Sequence, residues 1–222
     1  MTFVGLDGYK HGWVAVWLRE TKNEIQYLRD VGRFLDCEFD RAMIDIPIGL
    51  PDFGNRDCDL EARRLLGKTA SRVFTGARRS ILPFDSQSEA HHFCKARGDS
   101  GVSQQLFCLG KKIKEIDDII TERQQLRFVE AHPELIFWRL NGRNPLPRKK
   151  TQPGRELRRQ LLKAQGIDEL DGWLNERIGT GAKADDVLDA CACAVAARDH
   201  SHKVPSGTSP TDAKGLRMEI NF

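Results

Sequence analysis

The alternation of apolar and polar residues near the N-terminus predicts a meander of three β-strands. Residues 3–7 and 12–18 are apolar runs that are separated by a glycine-containing turn, and a third run follows at residues 24–28. Connections this short cannot cross over a sheet, so consecutive strands must be antiparallel. The first run ends in Asp7, which is followed at once by Gly8.

A fourth strand is predicted within the apolar run of residues 42–51, which contains one acid, Asp45. Proline has no N–H to donate to a strand ladder, so Pro47 should end this strand near Asp45 or Ile46. A fifth strand is predicted at residues 126–130, where apolar and polar residues alternate as far as Glu130. Three predicted strands thus end in a carboxylate.

The rest of the chain has mostly helical periodicity. The predicted helices cover residues 58–66, 106–123, 133–140, 155–164, 167–177 and 184–198. Residues 52–125 are rich in charge and turn signals and are interpreted as a helical insertion or cap. Residues 141–153 contain three prolines and suggest a mobile basic loop, and residues 216–222 alternate like a small edge strand. We therefore expect one α/β domain over residues 1–222, with a three-strand antiparallel meander, parallel strands after it, and flanking helices.

Composition supports a globular protein that lacks a membrane segment. The chain has 222 residues, 40% hydrophobic and 30% charged. No stretch approaches the roughly 18 apolar residues that a membrane helix needs, and the N-terminus leads into a strand rather than a signal sequence. We expect a cytoplasmic protein. The six cysteines show no CxxC pair and no zinc-ligand spacing, so reduced thiols are favoured over a structural metal site.

Acids recur where the predicted elements meet. In an open α/β sheet the carboxyl ends of neighbouring strands share one edge, so Asp7, Asp45 and Glu130 are candidates to converge there. The last helix adds acids near its beginning. The candidate metal ligands are Asp7, Asp45, Glu130, Asp185, Asp186 and Asp189. Several buried carboxylates repel one another, and Mg²⁺ or Mn²⁺, which prefer oxygen ligands, would relieve that repulsion.

Each acid also has a structural interpretation. Asp7 followed by Gly8 is a common turn pair, and Glu130 could cap a helix or form a salt bridge. Asp185 and Asp186 suit the first turn of a helix, where acids stabilise the macrodipole. Asp45 is harder to explain in this way, because an acid flanked by isoleucines is costly to bury unpaired.

Basic residues are clustered although the formal net charge is only +3. The clusters lie at residues 63–79 and 143–159. Alone, they would be interpreted as solvated surface; beside a phosphate-processing site they become candidates for binding nucleic-acid phosphates. The candidate substrate-binding residues are Arg72, Arg78, Arg79, Lys149, Lys150, Arg155 and Lys183.

Several motifs, taken in order, resemble a known family. They are Gly5-Leu6-Asp7-Gly8, Ile44-Asp45-Ile46-Pro47, Glu130-Ala131-His132-Pro133-Glu134 and Lys183-Ala184-Asp185-Asp186-Val187-Leu188-Asp189. The sequence resembles the proteins grouped as domain of unknown function 429, which are described as predicted nucleases with an RNase H-like fold. The matches extend over nearly the whole chain.

The resemblance implies a role for each matching acid. Asp7 would bridge two metal ions, Asp45 would be the ligand from strand four, and Asp186 and Asp189 would be the ligands from the last helix. These four would be the catalytic residues of a phosphodiester hydrolase that uses two ions about 4 Å apart. Holliday-junction resolvases of the wider superfamily usually carry Glu on strand four, so Asp45 departs from their pattern. Glu130 has no firm counterpart in that pattern.

Two other functions remain open. One is a noncatalytic nucleic-acid-binding or regulatory module on the same fold. The other is a relative of actin-like kinases and ATPases, which also begin with a strand and an Asp-Gly turn; the short chain and the lack of a second phosphate loop argue against it. A nuclease could act on DNA or RNA, and work like that of a resolvase would require a homodimer.

Overall fold

A five-stranded mixed sheet carries Asp7 within one strand and Asp45 directly after the end of the neighbouring strand. The computed structural model describes residues 1–199 and 202–222. The strands are β1 (Thr2–Tyr9), β2 (Gly12–Arg19), β3 (Glu24–Leu28), β4 (Arg41–Ile44) and β5 (Phe128–Glu130). Their order is β3-β2-β1-β4-β5, with β1, β2 and β3 antiparallel and with β4 and β5 parallel to β1. The predicted mixed sheet is confirmed, and this is the topology of an RNase H-like sheet.

Helices account for most of the remaining described chain. They are α1 (Asp57–Leu66), α2 (Gln87–Ala96), α3 (Gln104–Ile119), α4 (Pro133–Leu140), α5 (Gln152–Lys163), α6 (Leu170–Glu176) and α7 (Ala184–Asp199). Helix α4 begins at Pro133 as predicted, because proline suits the first helical position. Helix α2 was not predicted, because its sequence has few apolar residues; Ser86 caps it by accepting a hydrogen bond from the Glu89 N–H.

The C-terminal strand is shorter than the sequence predicts. Alternation over residues 216–222 predicts an edge strand, but the strand β7 covers only Ile220–Asn221 and pairs with β6 (Lys203–Val204). Arg217 forms only an isolated bridge, with Thr211. Upstream of β7, the chain turns instead. The Asp212 carboxylate accepts hydrogen bonds from the backbone N–H groups of Lys214 and Leu216, and these local bonds replace a strand ladder.

Helix α7 packs directly on the centre of the sheet. Its residues from Val187 to Ala197 are buried, and most of them are small. Gly5 on β1 makes the close approach possible: a Cβ atom there would lie 2.0 Å from the Ala190 carbonyl oxygen and 2.1 Å from the Ala194 nitrogen. Cys191 and Cys193 are buried free thiols in this helix, as predicted for packing residues.

The chain divides into two compact units. The first comprises Met1–Ile46, Leu126–Lys203 and Asn221–Phe222, and the second comprises Pro47–Gln125 and Val204–Ile220. The second unit contains α1, α2 and α3, and partly buried ion pairs connect distant parts of its sequence. Arg79 pairs with both Asp117 and Asp212, which joins the helical segment to the C-terminal segment of the same unit. No helix among the described residues is long and apolar enough to span a membrane.

Candidate functional site

The register of two parallel strands sets Asp7 beside Asp45. Leu6 on β1 lies opposite Ile44 on β4, and the Asp45 N–H donates to the Leu6 carbonyl oxygen at 3.0 Å. The pair of Leu6 and Ile44 is the last of the ladder, and the two aspartates follow it directly, one on each chain segment. Side chains alternate along a strand, so Asp7 points to the same face as Gly5, which is the face that α7 covers.

Helix α7 brings two further carboxylates to this face. Asp189 is buried, and Asp186 lies three residues earlier, so the two share one side of the helix. Burial raises the pKa of Asp7 well above its usual value, and the charges of Asp45, Asp189 and Asp186 raise it further. Three of the four acids predicted as catalytic from the sequence thus lie within electrostatic reach of the fourth, Asp7, all within the first unit.

The acids are held in an environment that disfavours their charged form. Burial is the largest cause for both Asp45 and Asp189, and it raises the pKa of each to about 6, although the Lys149 ammonium opposes the shift. Burial also raises the pKa of Asp186, against a hydrogen bond that lowers it. Carboxyl groups that are this reluctant to ionise mark a site that a cation would stabilise.

Among the described residues, Lys149 is the basic residue whose side chain forms an ion pair with this acid cluster. Its Nζ lies 2.6 Å from Oδ2 of Asp189, and its side chain is 39% exposed. Burial lowers the pKa of Lys149, but the nearby charges of Asp189, Asp7 and Asp45 outweigh that effect and raise it overall. Sequence analysis had interpreted Lys149 as a phosphate-binding residue, whereas here its ammonium bonds a carboxylate.

The segment that presents Lys149 is tied to the core by a buried ion pair. Arg158 on α5 is fully buried and donates through Nη2 to both carboxylate oxygens of Glu134, at 2.8 and 2.9 Å. Its Nη1 donates to the Pro147 carbonyl oxygen at 3.1 Å. Glu134 also raises the pKa values of Asp45 and Asp189.

Sequence reasoning missed the roles of Glu134 and Arg158. The one available signal was the position of Glu134 in the first turn of α4, inside a motif that was already noted for Glu130. Nothing local to Arg158 marks it as buried, because it lies in a run of charged residues on an amphipathic helix. The pairing of these two residues became evident only from the packing of α4 against α5.

Glu130 and Asp185 have different surroundings, and Asp186 has a second role. Glu130 lies in the sheet row of Leu6 and Ile44, so strand alternation directs its side chain to the face opposite that of Asp7. Asp186 accepts a hydrogen bond from the Lys183 N–H at 2.7 Å, which caps the start of α7. Asp185 is adjacent and contributes repulsion to Asp186.

The predicted basic residues fall into two groups. In the first unit, Lys150, Arg155 and Lys183 are exposed. In the second unit, Arg78 is fully buried and pairs with Asp99 at 2.7 Å, while Arg79 is engaged by Asp117 and Asp212. Arg72 is half-buried at the end of a short 3-10 helix.

The donor set suits a hard divalent cation that is held by few protein ligands. Oδ1 of Asp189 is buried and has no hydrogen-bond partner among the described residues. The carboxylates do not form a complete cage: within residues 1–199 and 202–222, no three acidic, histidine or cysteine side chains converge closely enough to bind one ion. Mg²⁺ needs only one or two carboxylates, with water and substrate phosphate completing its shell, so the residues present fit such an ion.

One family model matches most of the chain. Residues 5–209 match the family described as a protein of unknown function, DUF429. The chain belongs to the DUF429 family. The match includes every acid of the cluster together with Lys149. Neither a curated protein nor a solved structure matches this DUF429 chain significantly.

Proposed function

We propose that this DUF429 protein is a divalent-metal-dependent nuclease that hydrolyses phosphodiester bonds. The observation that carries the proposal is that Asp45 and Asp189 lie within electrostatic reach of Asp7 at one face of an RNase H-like sheet. Asp7 and Asp189 are buried, and Asp45 is half-buried directly after β4. Uncompensated carboxylates in such a place are destabilising, and a site that retains them is a candidate for chemistry.

The proposed cofactor is Mg²⁺ or Mn²⁺. One or two of the carboxylates of Asp7, Asp45 and Asp189 would hold the ion, with water and substrate phosphate completing its shell. Asp186 is a further candidate ligand through the oxygen that does not cap α7. The bound ion would supply an activated water and stabilise the charge that develops on the phosphate. The chain's own contribution is to fix the carboxylates on rigid elements. Asp7 is further oriented by the Gly8 N–H, which donates to its Oδ1 at 2.8 Å.

The proposed partner is a nucleic acid. Arg155 and Arg177 line an open groove on the side of α7 that presents Ala184 and Leu188. Arg159 lies in the same groove but pairs with Asp171 and with Glu156, which also lines it. Exposed Lys150 and Lys183 lie on the segments that precede α5 and α7. Guanidinium and ammonium groups arranged in this way suit phosphate oxygens, which they position without reading the base sequence.

A second candidate is a noncatalytic nucleic-acid-binding module. The observation that favours it is the ion pair between Lys149 and Asp189, since a lysine can neutralise part of the cluster without any metal. On this alternative the acids would be structural, and divalent metal would not affect the protein.

A cleavage assay on a substrate panel tests the proposal. The panel comprises labelled single-stranded DNA and RNA, both duplexes, the hybrid and a four-way junction, each with Mg²⁺, Mn²⁺ or EDTA. We expect metal-dependent cleavage of at least one substrate, and a loss of more than about 100-fold in Asp7→Asn, which keeps the shape but removes the charge.

The matched control is Asp36→Asn, which removes one charge from an exposed aspartate of the same unit. It should cleave like the wild type. If folded wild-type protein cleaves nothing on the panel with either metal, or if Asp7→Asn retains full activity, the nuclease proposal is wrong. Metal-independent binding of nucleic acid without cleavage would support the second candidate.

A further inference from the structure

We propose that the Lys149 ammonium takes the place of a second metal ion, so that the acid cluster binds one divalent cation per chain rather than two. The inference rests on the proposed function and refines the two-ion mechanism that the resemblance implies. Lys149 pairs with only one oxygen of Asp189, and hydrogen bonds hold the backbone around Lys149 in place. One divalent ion together with Lys149 also neutralises the three carboxylates.

Lys149 engages only one side of the Asp189 carboxylate. Its Nζ lies 2.6 Å from Oδ2, while Oδ1 is buried with no hydrogen-bond partner among the described residues. A buried carboxylate oxygen without a partner is costly, which marks that side as the position of a ligand. One oxygen is therefore already neutralised by a cation of the chain, and the other is available to a cation from solution.

The backbone on both sides of Lys149 is held in place. The Arg148 carbonyl oxygen accepts hydrogen bonds from the N–H and the Oγ1 of Thr151, at 3.0 and 2.7 Å. Gly154 packs against the same turn, since a Cβ atom at that position would lie 2.0 Å from the Arg148 oxygen. Before this turn, Arg158 donates to the Pro147 carbonyl oxygen, and after Lys149, Arg155 donates to the Lys150 carbonyl oxygen at 2.9 Å.

The anchor of this segment is itself rigid. Arg158 is fully buried, and Glu134 fixes its guanidinium in a bidentate pair. The position of Lys149 therefore depends on the packing of two helices rather than on a loose surface chain. An ammonium presented in this way is expected to stay beside Asp189 when another cation binds.

Charge balance favours one divalent ion. Asp7, Asp45 and Asp189 together carry three negative charges when ionised, and Lys149 carries one positive charge. One divalent ion makes the sum zero, whereas two would leave an excess of two positive charges in a buried site. Unbalanced charge away from water is strongly unfavourable. Asp186 is left out of this sum because it is half-exposed at the start of α7, where water screens its charge.

The test counts Mn²⁺ ions on the full-length protein by equilibrium dialysis and by electron paramagnetic resonance. Two Mn²⁺ ions about 4 Å apart are magnetically coupled, while a single bound ion gives an isolated six-line spectrum. We expect one uncoupled ion in the wild type. In Lys149→Met, where the ammonium is lost, we expect a second, coupled ion and at least about tenfold tighter binding of the first.

Two further variants test whether the number of bound Mn²⁺ ions depends on a positive charge at position 149. Lys149→Arg keeps a cation at that place and should bind one ion. Lys22→Met removes an exposed charge elsewhere in the same unit and should also bind one ion, with the affinity of the wild type. Circular dichroism checks that each variant is folded.

Different results separate failure of this inference from failure of the proposed function. Two coupled ions in the wild type would overturn the inference and leave the nuclease proposal intact. An unchanged count and affinity in folded Lys149→Met would do the same. If neither protein binds Mn²⁺, the metal site itself is wrong, and the inference is overturned together with the proposed function.

Discussion

Single residues of the acid cluster lower the stability of the fold in which they lie. Asp7, Asp45 and Asp189 are desolvated and repel one another, and Lys149 relieves only part of that repulsion. Residues that lower the stability of a fold in this way are typical of functional sites, where activity requires them. The cluster is therefore the place where a charge-removing substitution should make the metal-free protein more stable.

Asp45→Asn should stabilise the metal-free protein at pH 8 but not at pH 4. The folded protein raises the pKa of Asp45 to about 6, above the usual value of 3.8, so the folded state binds the proton more tightly than the unfolded chain does. The stabilisation that comes from this tighter proton binding is fully present below the pKa of Asp45 in the unfolded chain, and it is lost as pH rises through the pKa of Asp45 in the folded protein. The asparagine amide does not titrate, so the stability of Asp45→Asn does not fall over this pH range as that of the wild type does.

Thermal or urea unfolding in EDTA from pH 4 to pH 8 measures the difference. The gain in Asp45→Asn should grow between about pH 4 and pH 6 and then level off. The control Asp36→Asn should show no such trend, because that aspartate is exposed. A variant equally stable to the wild type at every pH would mean that Asp45 is not desolvated in the folded protein.

At the scale of secondary-structure elements, the sequence predicts the framework of the site well. Strand β3 and helix α4 have the predicted bounds, and β4 ends at Ile44, just before Asp45 as the prolines indicate. These features depend on local signals: alternation, proline chemistry and short connections. Lys149 and Asp189 are 40 residues apart, and no local signal reports that they meet.

The close contact between β1 and α7 predicts that a side chain at Gly5 would destabilise the protein. In Gly5→Ala, the added methyl group would overlap backbone atoms of α7 that no rotamer change can move aside. We expect the free energy of unfolding to fall by at least about 2 kcal/mol, and the acids on the two elements to separate. Urea unfolding measures the first effect, and Mn²⁺ affinity measures the second.

Gly172→Ala is the matched control in the same unit. It lies in helix α6 and is exposed, with no atom closer than 4.0 Å to the position of the new Cβ. Alanine is the better helix former, so the control should be as stable as the wild type or more stable by about 1 kcal/mol. Equal stability of Gly5→Ala and the wild type would contradict the packing of α7 on the sheet.

At the scale of the whole molecule, the division into units was the hardest feature to predict. Charge and turn signals mark residues 52–125 as distinct, but nothing in the sequence joins residues 204–220 to them. That connection depends on contacts across long stretches of chain, such as the pairing of Arg79 with Asp212, 133 residues away. Similarly, Arg78 belongs to a basic cluster in the sequence but is buried in the structure.

Anomalous diffraction from crystals grown with Mn²⁺ would test most directly whether Asp7, Asp45 and Asp189 form a metal centre. We expect one strong peak per chain among these carboxylates, within about 2.5 Å of oxygens of at least one of them, and no such peak in Asp7→Asn. A peak elsewhere on the chain, or no peak at saturating Mn²⁺, would contradict the proposed centre and with it the assignment of this protein as a metal-dependent nuclease.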